Sequence, residues 1–182
     1  MVESLGPGVT GLDPGDRVMA MTHFPGGAGG YAELAVVDAG QAARIGPGTS
    51  FADAAATPLA AGTAAVILAR LALRPGSRLL VLAASGGVGL FLLQLAAHQG
   101  IRVAAIEAPS LDLDLLIDAN ITFHGILVRD DGERTRQLAA LLAAGALRPV
   151  ISHQLPLARA AEAHRIQEGR HAGGKIVLSV AG

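Results

Sequence analysis

The sequence predicts an α/β protein in which a shortened parallel sheet is flanked by β-rich ends. Three observations carry this. Leu79 to Gly100, LLVLAASGGVGLFLLQLAAHQG, reads as an apolar strand, a glycine turn and a helix. A second apolar strand, IRVAAI (Ile101 to Ile106), follows at once. The segments before residue 48 and after residue 146 carry short β-like runs between Gly- and Pro-rich turns. A complete two-halved nucleotide-binding sheet takes about six strands. Roughly three can be counted here.

Composition narrows the function classes. Hydrophobic residues make up 51% of the 182-residue chain, enough for a real core, and aromatics only 3%, so the core is aliphatic. A net charge of −1 without a basic run argues against nucleic acid as the main partner. The chain has no Cys, which removes disulfides, thiolate metal sites and a Cys nucleophile. The start, MVESLGPGVTG, lacks the basic and apolar regions of a signal peptide. Glycines interrupt every apolar run before it reaches the ~20 residues of a membrane span. A soluble, cytoplasmic protein is expected, with no membrane partner.

In the first 48 residues, DRVMAM (Asp16 to Met21) and YAELAVV (Tyr31 to Val37) read as half-buried antiparallel strands, as in a small barrel. The turn signals GLDPGD and FPGGAGG set them off. Ser50 is placed to cap a helix over FADAAA, and Pro58 to open a second, PLAAGTAAVILARLAL. Pro75-Gly76 ends that connection. Strand 79–84, helix 87–98 and strand 101–106 form one βαβ unit, whose short crossover makes a parallel pair. LDLDLLIDA and a β-rich NITFHGILV (Asn120 to Val128) come next. Asp130-Asp131 cap a helix, GERTRQLAALLAAG, closed by Gly145. The chain finishes with a strand LRPVI, a helix over Pro156 to Gly169, and a strand KIVLSV (Lys175 to Val180).

The turn Ala83-Ala84-Ser85-Gly86-Gly87-Val88-Gly89 carries the chemistry. Gly86 and Gly87 let backbone N–H groups approach a phosphate, with Ser85 and Val88 beside them, and Gly89 lets helix and strand pack closely. Tight packing alone would also account for such glycines. Glu107 closes the second strand about 20 residues after the turn. An acid there accepts hydrogen bonds from a ribose 2′-OH and repels a 2′-phosphate, favouring NAD over NADP. It reads equally as a solvated strand end.

GVTGLDPGDRV, GGYAELAVV, FADAAATPLAAGTAA, LLVLAASGGVG and EAHRIQEGRHAGGKIVLSV occur in that order. On these segments the chain resembles the medium-chain dehydrogenase/reductase superfamily, in its zinc-independent quinone oxidoreductase and enoyl reductase branch. The resemblance implies a reduced Rossmann-like sheet over 49–145 and an incomplete GroES-like β-barrel part built from 1–48 and 146–182. Relatives carry a longer N-terminal barrel part and further strands after the position of Ile106, so the chain resembles a doubly shortened member. The resemblance also implies a nicotinamide cofactor, NAD(P), held weakly if at all.

By the same resemblance Thr63 faces the nicotinamide, and Lys175 in GGKIVL lies near the cofactor cleft. Leu59 stands where zinc-dependent relatives place a Cys ligand, which implies no zinc. His124, interrupting ITFHGI, reads either as a satisfied edge-strand residue or as an acid/base group. His23 and Tyr31 flank the FPGGAGG loop, which could lie over a cleft. Asp16-Arg17 reads as structural. Asp112, Asp114 and Asp118 read as a solvated face.

Two functions follow. One is a reductase passing hydride from a nicotinamide to an activated C=C or a quinone, with the cofactor carrying the chemistry. The other keeps an apolar cleft and binds, cyclises or isomerises a hydrophobic, polyketide-like substrate through proximity and orientation. A homodimer through Asn120 to Val128 is expected, because a shortened sheet exposes edges that invite pairing with another copy.

Overall fold

A computed structural model of the chain describes residues 1–22, 29–106, 125–169 and 172–180. The βαβ unit forms as the sequence predicts. Strand β3 (Arg78–Leu82), helix α3 (Gly87–His98) and strand β4 (Arg102–Ile106) follow in order. β3 and β4 pair in parallel from Arg78↔Arg102 to Leu82↔Ile106. Before them lie β1 (Val18–Met19), β2 (Ala43–Arg44), α1 (Phe51–Ala56) and α2 (Pro58–Leu71). After them come α4 (Gly132–Ala143), β5 (Ile151–Pro156), α5 (Ala160–Glu168) and β6 (Lys175–Ser179). The described strands form three separate two-stranded sheets: β1–β2 antiparallel, β3–β4 parallel and β5–β6 parallel.

The helix boundaries obey local chemistry. The Ser50 hydroxyl accepts from the Asp53 N–H at 3.0 Å and opens α1. Thr57 joins α1 to α2 with near-helical backbone angles. Pro58, lacking an N–H, breaks the hydrogen-bond ladder there. The Asp131 carboxylate accepts from the Arg134 N–H at 3.0 Å and opens α4. Gly145, at φ +67, takes the left-handed turn that ends it.

The core lies where α2 and α3 pack together. Ala60, Ala61 and Ala64 of α2 let the helices approach, and Phe91, Leu92, Leu95 and Ala96 of α3 fill the contact. Burying Phe91 and Leu147, both 1% exposed, is worth roughly 1.5–3 kcal/mol apiece. Arg17 ties the first segment to this core. Its guanidinium donates to the Gly46 and Thr49 carbonyls at 2.8 and 2.6 Å and stands 4.5 Å over the Phe51 ring. Asp16 accepts from the Asp13 N–H and from Arg44, and both bonds hold its carboxyl below its ordinary pKa. Asp16 and Arg17 are structural, as the sequence implies.

Several strands differ from expectation. The Asp16–Met21 run pairs only over Val18–Met19. Tyr31–Val37 forms no strand: Tyr31, Leu34 and Val36 are exposed, and no described strand lies beside them to supply a ladder. LRPVI contributes only Ile151 to β5, because Pro149 has no N–H to donate. Of Asn120–Val128, residues 120–124 lie outside the described residues. Gly125–Val128 form no strand, and Val128 is buried against Gly62 of α2. On one face of β3–β4, Leu80 is 58% and Ile106 48% exposed, and no described element covers them.

Candidate functional site

The glycine turn is built from the end of β3 to the first turn of α3. Ala83 takes a left-handed φ of +52, and the Gly86 N–H donates back to its carbonyl at 3.2 Å. Gly86 is the N-cap and offers no side-chain cap. The first N–H groups of a helix have no intrahelical partner and carry the positive end of its dipole. An added Cβ at Gly89 would stand 2.7 Å from the Ala84 carbonyl and 2.8 Å from that of Ala83, so a side chain there collides with backbone. Ser85 and Gly86 are exposed, and Val88 is half-buried.

Lys175, at the start of β6, completes the turn. A Cβ on Gly87 would stand 2.6 Å from Lys175 Cδ, so the lysine stem occupies the space that Gly87 leaves. Lys175 is half-buried, and burial pulls its amine below the ordinary lysine pKa. Among the described residues no carboxylate pairs with it. It is the single lysine among the 14 basic residues of the chain. A half-buried cation beside the positive end of a helix is stabilised when an anion joins them. The pair therefore suits a diphosphate.

A residue the sequence reading passed over lies two turns along α3. The Gln94 amide donates to the Arg148 carbonyl at 3.0 Å and accepts from the Arg148 N–H at 2.8 Å. The available signal was a lone polar residue inside the apolar run LFLLQLAA.

The other predicted residues do not join this cradle. The Thr63 hydroxyl donates to the Leu59 carbonyl of its own helix at 2.7 Å, leaving its oxygen free to accept. The Tyr31 ring packs edge-on against His164 of α5, 5.4 Å between centroids. Glu107, His124 and His23 lie outside the described residues, as do Asp112, Asp114 and Asp118. A cavity of about 590 Å³ lies elsewhere, between Leu12, β2 and the Ala139–Ala143 face of α4. The two arginines on it, Arg44 and Arg136, are paired with Asp16 and Glu133.

A glycine turn on a parallel βαβ unit, with a lysine stem over the helix start, is the arrangement of a Rossmann-like α/β fold. More narrowly, the chain belongs to the zinc-binding dehydrogenase family, whose sequence profile matches residues 49–178. It is 46% identical over 104 residues to the pikromycin polyketide synthase component PikAII of Streptomyces venezuelae. That match takes in 57% of this chain and 3% of the synthase. The fold matches the quinone oxidoreductase from Coxiella burnetii with a TM-score of 0.86 at 23% identity, covering 97% of this chain and 76% of that one. It also matches a mycobacterial protein determined in complex with NADPH, with a TM-score of 0.72 at 23% identity, over 97% and 79% of the two chains. The chain thus spans about three-quarters of the solved structures and a small part of the synthases it resembles. The family description implies zinc as well. With no Cys in the chain and no cluster of three His, Asp or Glu among the described residues, no described ligand set fits that metal. No helix among the described residues is long and apolar enough to cross a membrane.

Proposed function

We propose that the chain is a nicotinamide-dependent reductase of the enoyl reductase and quinone oxidoreductase type. It would act on the polarised C=C of a hydrophobic, polyketide-like substrate. The observation that carries this reading is the cradle of Gly86, Gly87 and Gly89 closed by Lys175, which pairs with no carboxylate among the described residues. A bound nicotinamide supplies the hydride. The backbone N–H groups of Gly87 and Val88 bind the diphosphate, and Lys175 neutralises it. Gly89 keeps α3 tight on β3, so the helix start is fixed before ligand arrives. Thr63, whose hydroxyl oxygen can still accept, would face the ring end of the cofactor. Tyr31 and His124 are the proton-donor candidates on the substrate side. Residues 1–48 and 146–182 form the substrate-side part, and two copies pair through Asn120–Val128. Glu107, next after β4, favours NADH over NADPH.

Titration of the protein with NADH and NADPH, followed by fluorescence or calorimetry, tests the reading. Saturable binding of either is expected, with NADH the tighter and Glu107→Ser relaxing the preference. Absence of binding at millimolar concentrations of both overturns it and returns the function to cofactor-independent chemistry on a hydrophobic substrate.

A further inference from the structure

We propose that Gln94 is a positioning residue that holds Lys175 over the glycine turn, although it touches neither. Gly87 and Gln94 are seven residues apart, so they share one face of α3, about 10 Å from each other along its axis. At the lower end of that face the Gln94 amide clasps both main-chain groups of Arg148, at 2.8 and 3.0 Å. A third bond, from the same amide to the Leu90 carbonyl at 3.1 Å, fixes its direction. Two residues beyond Arg148, the Val150 carbonyl accepts from the Lys175 N–H at 2.8 Å. Gly174 permits this approach: at φ +140, an added Cβ there would stand 2.5 Å from the Val150 oxygen. Ser152 then donates to the Lys175 carbonyl at 3.3 Å. At the upper end the Lys175 stem lies on Gly87.

The contacts make a closed circuit: Gln94 to Arg148, Val150 to Lys175, Lys175 to Gly87, and back down α3. Leu147, buried beside Arg148, sets the depth of this segment. Buried apolar contacts are non-directional and leave sliding along the helix unopposed. The paired hydrogen bonds of the amide are directional and remove that freedom. Gln94 thus fixes where the ammonium group stands relative to the helix start. The inference rests on reading the turn as a diphosphate cradle.

Because Lys175 is the single lysine, protein carrying 13Cε-labelled lysine gives one ε-carbon resonance, whose titration reports this amine alone. In the unliganded wild type its midpoint is expected below 10.5. Gln94→Met keeps length and bulk but loses the clasp. It should raise the midpoint toward 10.5 and weaken binding of NADH about three- to tenfold. Arg148→Ala should change neither, because the clasp uses only main-chain atoms. A folded Gln94→Met protein whose lysine titrates as in the wild type overturns the inference. Should that variant fail to fold, Gln94→Glu carries the test. It keeps the acceptor for the Arg148 N–H but sets a carboxylate against the Arg148 carbonyl, so the same rise is expected and an unchanged midpoint overturns the proposal. If wild-type protein binds neither NADH nor NADPH, the cofactor reading fails, while the titration still decides the role of Gln94.

Discussion

Lys175 is held in an environment that works against its charge. Its pKa is lowered by burial, so folding penalises the ammonium form. That penalty is complete below the folded pKa. It fades as pH rises through the window up to 10.5, where the unfolded chain also loses its proton. Lys175→Met is therefore expected to raise the melting temperature at pH 7, with the gain shrinking toward pH 10. Binding of pyrophosphate or NADH should fall by about 10- to 100-fold, the cost of one charge-assisted contact. Melting curves at the two pH values and a binding titration check both halves, and a gain that grows with pH would contradict the assignment. The parts of the cradle were legible as sequence motifs, SGGVG and GGKIVL. Their contact was not, because no local pattern joins Gly87 to a residue 88 positions later. Gln94 was hidden for the same reason: its partner, Arg148, is 54 positions away.

At the scale of elements, helices were legible and strands less so. A helix is written in its own sequence. Ser50, Pro58, Asp131 and Gly145 each mark a boundary through bonds made within a few residues, and the helices begin where those residues place them. A strand needs a partner elsewhere. Tyr31–Val37 has the right alternation, yet no described strand stands beside it. The βαβ unit was the exception, since its partner strand follows after a single crossover helix. Gly89 is the hinge of that unit. Gly89→Ala forces a methyl group against the Ala83 and Ala84 carbonyls, and the helix must lift away from the strand. A loss of about 1–3 kcal/mol is expected in chemical denaturation. A variant as stable as the wild type would show that α3 can shift freely, and the rigid cradle would fall with it.

At the scale of the molecule, Leu80, Leu82 and Ile106 leave apolar surface on β3–β4 that no described element covers. Parallel sheets are ordinarily covered on both faces. The proposed dimer through Asn120–Val128 is tested separately: Ile126→Lys should shift sedimentation toward the monomer, and a wild-type monomer at micromolar concentration would rule it out. The three small sheets have another consequence, for how the chain reaches its native state. Arg78 pairs with Arg102, Ile151 with Lys175, and Val18 with Arg44, so every described ladder closes a loop of about 25 residues. Such short closures are fast, and they let each ladder form without waiting for the others. Native-state hydrogen exchange should then resolve at least two cooperative opening units, β3–α3–β4 and β5–β6, with different free energies. A single opening free energy shared by all these amides would mean instead that the chain assembles in one concerted step.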